Sequence, residues 1–264
     1  MSSDIEIHVA AGVATLLLNR PAKRNAITFE MWQELGDVLT ELADQSSVRI
    51  LVVRGAGEHF CAGADISGLS GGIGGDYGKV NWRAEEALAN FPGPTIAYIQ
   101  GNCVGGGVSI ATACDIRMCD MTAQFGITPA KLGIVYPSNA LTRIVQLVGP
   151  SNTKHLMFTA ELIDAMAASR IGLVDEVHDS AAMGTRLDEL IAQLLERSEL
   201  TQVATKQMIA QIMAHGSVLE STQTAWEEQV NTSGELAQGL EAFATRRAPI
   251  FPWRRSISAS TLKP

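Results

Sequence analysis

The stretch PTIAYIQGNCVGGGVSIATACD, residues 94–115, carries the reading of the fold. TIAYIQG (95–101) is a nearly continuous apolar run behind Pro94, as expected of a strand covered on both faces. NCVGGG (102–107) then turns the chain, and VSIATACD (108–115) opens an apolar helix. A strand that feeds a glycine turn and then a helix leaves backbone N–H groups pointing out of the helix start, where the dipole favours negative charge. HFCAGADI (59–66) makes a second small-residue turn, directly after the apolar run RILVVRG (49–55). Two such donors brought to one point would make an oxyanion hole. A phosphate cradle is the rival, but GNCVGGG lacks the Lys-Ser/Thr of a P-loop and does not follow GxGxxG spacing. Plain close packing of helix on strand is the third possibility.

Outward from these turns, IEIHVA (5–10) and VATLLLN (13–19) around Ala11-Gly12 predict a β-hairpin. Thr28 is placed to cap a helix whose Met31, Leu35, Val38, Leu39 and Leu42 fall at helical spacing. Six glycines between 68 and 78 predict a mobile loop, followed by a helix over about 79–90. IRMCD (116–120), AQFGIT (123–128) and LVDEVH (173–178) read as further strands. NALTRIVQLVG, SNTKHLMFTA and AMAASRIG read as helices, and beyond about 180 the pattern is entirely helical. The expectation is an α/β fold of repeated ββα units over 1–195, with a helical C-terminal region over 196–264.

Composition narrows the class. A 46% hydrophobic and 18% charged chain is globular rather than disordered. No apolar run reaches the ~18–20 residues of a membrane span. The start, MSSDIEIHVA, lacks the basic-then-apolar pattern of a secretory signal. Cys61, Cys103, Cys114 and Cys119 form no CxxC pair and have no nearby histidine cluster, which predicts reduced thiols, a cytoplasmic setting and no metal site. A net charge of −8 argues against a nucleic-acid partner.

LNRPAKRNAI (18–27), RILVVRGAGEHFCAGADI (49–66), PTIAYIQGNCVGGGVSIATACDIRMC (94–119), AQFGITPAKLGI (123–134), MFTAELIDAMAASRIGLVDEV (157–177) and FATRRAPIF (243–251) together cover nearly the whole chain. In that order they resemble the crotonase, or enoyl-CoA hydratase/isomerase, superfamily. The resemblance implies a spiral of ββα units, a C-terminal helical trimerisation region, and a trimer or dimer of trimers. It implies an acyl-CoA thioester as substrate, CoA being part of that substrate, with no other cofactor and no membrane partner. By similarity the N–H groups of Ala62 and Gly106 would hold the thioester oxygen. Lys23, Arg24, Ala26, Ala62, Gly63, Ala64, Asp65 and Ile66 would line the CoA site, with Gly105 beside Gly106, and Phe243 and the Arg246-Arg247 pair would make a second contact to the nucleotide.

Family hydratases use two glutamates as acid and base; this chain has Ser109 and Pro129 at those positions. A neutral serine hydroxyl is a poor general base near pH 7, and proline does not titrate. ITPAKLGIVYP (127–137), with Thr128 and Tyr136, resembles a segment of methylmalonyl-CoA decarboxylases, although Ala64 stands where those enzymes carry histidine. Decarboxylation of a malonyl-type thioester needs no strong base, and Thr128 and Tyr136 would orient the departing carboxylate and return a proton. The alternatives are an isomerase or hydratase with relocated carboxylates, and a non-catalytic acyl-CoA binder. Asp65, Asp76, Glu85 and Glu86 are the candidate carboxylates, Asp65 read as a helix cap and the others as solvated. His59 reads as a turn residue, and Tyr77 and Trp82 as walls of an acyl pocket or covers of the core.

Overall fold

A computed structural model describes residues 4–65 and 75–255. Ile66 and most of the expected glycine loop lie outside the described residues. The large sheet has the order β1 (Ile5–Ala10), β2 (Val13–Leu18), β3 (Ile50–Gly55), β4 (Thr95–Ile99), β6 (Ile116–Asp120), β9 (Glu176–His178). The first pair is the antiparallel hairpin; every later pairing is parallel. The small sheet has the order β5 (Asn102–Val104), β7 (Gln124–Gly126), β8 (Leu162–Asp164). Each turn of the chain gives one strand to the large sheet, one pairing to the small sheet, and then a helix. β4, β5 and α3 (Gly106–Ala113) are one such unit; β6, β7 and α4 (Ser138–Thr159) are the next. Two earlier turns lead into α1 (Phe29–Ala43) and α2 (Asp76–Ala89), and their second strands shrink to single bridges, Ile27 to Ala64 and Cys61 to Cys103. This is the expected ββα spiral.

Local sequence explains the elements that frame the site. The Thr28 hydroxyl accepts from the Met31 N–H at 3.2 Å, capping α1, and Met31, Leu35, Leu39 and Leu42 are buried along one face. In β3, Leu51 and Val53 join the main core with Trp32, Phe60 and Phe91. Ile50 and Val52 point the other way, against Met183 and Leu190 of α6 (Ser180–Leu195). The alternation under a wholly apolar run is what two covered faces require. α4 breaks at Gly149 (φ 75°) and Pro150, at the boundary between the two expected helices. α2 begins at Asp76, three residues before its expected start.

A short α5 (Ala165–Arg170) precedes β9, and α7 (Glu199–His215), α8 (Glu220–Ser233) and α9 (Glu235–Thr245) make the helical C-terminal region. These last helices have a small core of their own, Leu200, Ala204 and Trp226, beside Trp253. Among the described residues no helix is long and apolar enough to cross a membrane.

Candidate active site

The two glycine turns are zipped together. The Cys61 N–H donates to the Asn102 carbonyl at 2.9 Å, and the Val104 N–H donates back to the Cys61 carbonyl at 2.9 Å. Glycine makes the approach possible. A Cβ on Gly107 would lie 2.4 Å from the Cys61 carbonyl oxygen, and one on Gly63 (φ +101°) would lie 2.9 Å from that of Val104. Gly63-Ala64 therefore rests against Gly105-Gly106. A Cβ on Gly106 would sit 3.5 Å from the Ala64 nitrogen, and one on Gly63 would sit 3.4 Å from the Gly106 nitrogen.

The Ala64 and Gly106 amides donate to no acceptor among the described residues. Both residues line a cavity of about 1090 Å³. Gly106 is the first residue of α3, so its N–H has no partner within the helix. The expected donor Ala62 is corrected here: it touches the cavity, but its N–H is spent on the Arg24 carbonyl at 2.9 Å. Ala64, assigned above only to the CoA wall, is the residue whose unspent N–H stands beside Gly106 in the cavity wall.

Ala26, Gly63, Asp65, Gly105, Ser109, Thr128, Pro129 and Tyr136 also reach the cavity, as do Tyr77 and Trp82. The Asp65 carboxylate pairs with Arg20 at 3.0 Å, and its N–H donates to the Ile27 carbonyl at 2.8 Å; the helix it was expected to cap lies outside the described residues. Lys23 and Arg24 are exposed around a short 3₁₀ turn, outside the cavity wall; Arg24 acts through its carbonyl instead. Phe243 is 87% exposed near the end of α9 and Arg246 follows it, so this chain does not bring either to its own cavity. The His59 ring accepts from the Asn102 N–H at 3.1 Å and is a turn residue, as expected. Burial pushes the Cys61 thiol up to about 12, which removes it as a nucleophile.

Hydroxyl groups stand among the cavity-lining side chains. Tyr136 donates to the Gly105 carbonyl at 2.8 Å, and burial pushes its phenol far above the ordinary range, so it stays a donor. Ser109 donates to the Gly106 carbonyl at 3.0 Å.

Glu85 reverses an expectation. Its place after the glycine-rich stretch predicts a solvated group, yet its carboxylate is fully buried. The Asn81 amide donates to it at 3.0 Å, Asn139 at 3.0 Å and the Arg143 guanidinium at 3.1 Å. Burial raises its pKa, against the opposing pull of Ser109, Arg143 and Asn81. Glu86 shares Arg143 and is half-buried, while Asp76 is exposed and pairs with Lys79. Asn81, Asn139 and Arg143 were not singled out in the sequence; only their i,i+4 spacing to Glu85 (from Asn81) and to each other hinted at one polar cluster. Asn139 Oδ1 is buried without a hydrogen-bond partner among the described residues, beside the cavity. No group of three or more His, Cys, Asp or Glu side chains suited to a metal stands among the described residues.

With this geometry in place, known proteins align along the chain. The enoyl-CoA hydratase/isomerase family model matches residues 8–254. A peroxisomal Δ(3,5)-Δ(2,4)-dienoyl-CoA isomerase of Arabidopsis thaliana is 29% identical over 91% of this chain and 93% of its own length. A crotonyl-CoA hydratase of Syntrophomonas wolfei is 32% identical over 71% of this chain and 74% of its own. The crystal structure of an enoyl-CoA hydratase/isomerase family protein from Hyphomonas neptunium superposes with a TM-score of 0.89 at 31% identity, covering 96% of this chain and 98% of that one. A match over almost the full length, together with the ββα spiral and its two joined glycine turns, means that the chain belongs to the enoyl-CoA hydratase/isomerase family.

Proposed function

We propose that the protein moves a double bond along the acyl chain of a CoA thioester, with the thioester oxygen held by the Ala64 and Gly106 amides. The observation that carries this reading is the convergence of two unpartnered backbone donors on one cavity. Removing a proton from C2 of a 3-enoyl thioester sends the C–H electron pair into the carbonyl as a dienolate. Returning a proton to C4 gives the conjugated 2-enoyl product. The oxygen gains charge only as the first step proceeds, so fixed donors favour the transition state over the bound substrate.

Isomerisation needs one group that takes a proton and gives it back. Hydration by the usual route needs two carboxylates, and Ser109 and Pro129 stand in their places. Decarboxylation of a malonyl-type thioester is the second reading, supported by the fixed Tyr136 hydroxyl and by Thr128 in the same wall. CoA enters as part of the substrate.

The test incubates the full chain with a 3-enoyl-CoA, crotonyl-CoA and methylmalonyl-CoA and follows products by chromatography and mass. A conjugated isomer from the first supports the proposal. Gain of water by the second, or loss of CO₂ from the third without isomerisation, replaces it. Binding of all three without change selects the non-catalytic binder. We further propose assembly as a trimer or dimer of trimers through α9, whose Leu236, Leu240 and Phe243 are 59%, 62% and 87% exposed at helical spacing. Sedimentation of the full chain as a monomer would remove that part.

A further inference from the structure

Tyr77, at the start of α2, reaches the cavity with a hydroxyl that is only half used. The Trp32 indole donates to its oxygen at 2.9 Å. An indole N–H donates and never accepts, so the Tyr77 oxygen is the acceptor in this pair and keeps its own proton for another partner. No acceptor for that proton stands among the described residues. The indole proton holds the lone-pair side of the oxygen and turns the phenol O–H away from Trp32. The ring itself is fixed, half-buried against the main core and 6.3 Å from the Phe29 ring.

Trp32 also reaches the other end of the matter. It is buried in α1, and a Cβ on Gly106 would lie 3.2 Å from its Cζ2. Cζ2 and Nε1 are joined through one ring carbon of the same indole. A single rigid ring therefore packs on Gly106 and donates to Tyr77. Ala64, Gly106 and Tyr77 all line the one cavity. Fastening α1 to α2 would need only the indole proton and a phenol lone pair. It leaves the phenol proton without a use, although polar atoms of half-buried aromatic side chains normally find a partner.

From this juxtaposition we infer that Tyr77 is a third hydrogen-bond donor to the thioester oxygen, beside the Ala64 and Gly106 amides. This rests on the enolate reading above. The acyl chain of a simple enoyl thioester carries one oxygen, its carbonyl. Within that substrate class the acceptor for the phenol proton is thus the atom that the two amides serve. As the electron pair enters the carbonyl, the oxygen gains charge and all three hydrogen bonds strengthen; no proton is transferred. Burial pushes the phenol up to about 12, so it remains protonated, as a donor must.

The experiment records the infrared carbonyl stretch of a CoA thioester, ¹³C-labelled at the carbonyl and bound to the full chain. It is paired with deuterium uptake from D₂O into the acyl chain and with the Kd of an unreactive CoA thioether. In the wild type the stretch should lie below its value in water. Tyr77→Phe keeps the ring and loses the hydroxyl. It should return the stretch part of the way, lower exchange about 10–10²-fold and leave Kd within about threefold. Fluorotyrosine at position 77, a stronger donor of similar shape, should move the stretch further down, and it decides alone if Tyr77→Phe does not bind the thioether. An unmoved stretch in these variants overturns the inference and leaves the enolate reading intact. So does a fall in exchange with an unmoved stretch, because the hydroxyl then acts elsewhere. If the wild-type protein binds the thioester, leaves its stretch as in water and exchanges nothing, the enolate reading falls and takes this inference with it.

Discussion

Glu85 and Glu199 are two buried glutamates that arginines hold in place, and burial raises both pKa values. Glu199, at the start of α7, has a side chain only 4% exposed, 3.4 Å from Arg49 and near Arg254; the Arg255 N–H donates to it at 3.4 Å. The Arg255 guanidinium in turn donates to the Gln45 carbonyl at 2.9 Å, tying the chain beyond α9 to the end of α1. None of those groups reaches the cavity. Glu85 differs in its amide partners: Asn81 and Asn139, which donate to it, both line the cavity. A buried carboxylate beside an arginine is thus ambiguous; whether its partners reach the site distinguishes a fastening from a group placed to act there.

The comparison breaks first at the amides, where the effect should be largest. Gly106→Ala leaves both glutamates untouched and puts a methyl 3.2 Å from Trp32 and 3.5 Å from the Ala64 nitrogen. The ring must shift, and the methyl crowds the gap between the donors. We expect kcat to fall about 10²–10³-fold, the usual cost of one lost donor. The melting temperature should hardly change. An unimpaired kcat would mean that the oxygen does not sit there.

Next comes the other half of the pair. Arg49 loses affinity for its proton through burial, as Glu199 does for its charge, so each depends on the other. Glu199→Ala strands a buried guanidinium, and urea unfolding should record a loss of about 3 kcal/mol. Turnover under folding conditions should stay as in the wild type. A large fall in kcat with stability intact would erase the distinction drawn here.

How far the sequence reaches follows the same line. The hairpin, the Thr28 cap, β3 and the GGG turn depend on neighbours within a few residues, and these expectations hold. The choice between Ala62 and Ala64 depends on the carbonyl of Arg24, which lies 38 residues before Ala62 and consumes the wrong amide. Glu85 reads as solvated because it follows a glycine-rich stretch. Its burial is decided by Asn139 and Arg143, which lie 54 and 58 residues away on α4. Periodicity reports that α4 is a helix but not where its polar face docks. Phe243 and Arg246 stand the other way round: the motif is plain in the sequence, and within one chain it lies away from the cavity.

The smallest effect belongs to a third carboxylate held by arginine, nearer to water, which serves as the control for the other two. Glu176 accepts two hydrogen bonds from Arg186, at 2.9 and 2.8 Å, and one His178 ring nitrogen lies 2.8 Å away. These bonds, Arg186 foremost, hold its pKa below the ordinary carboxylate range despite partial burial. A depressed folded-state pKa stabilises the fold above the unfolded value of about 4.3, and that contribution disappears as pH falls through the folded value. Arg186→Ala should therefore cost under about 1 kcal/mol at neutral pH, the range of pairs in reach of solvent. The difference from the wild type should shrink toward zero as acid titrates Glu176. For Glu85, raised rather than lowered, acid should relieve an unfavourable charge instead. The stability gap between wild type and Glu85→Gln should then close from the opposite side, already above the ordinary range. Parallel acid-unfolding curves for Arg186→Ala and Glu85→Gln would show that the two carboxylates do not differ in kind after all.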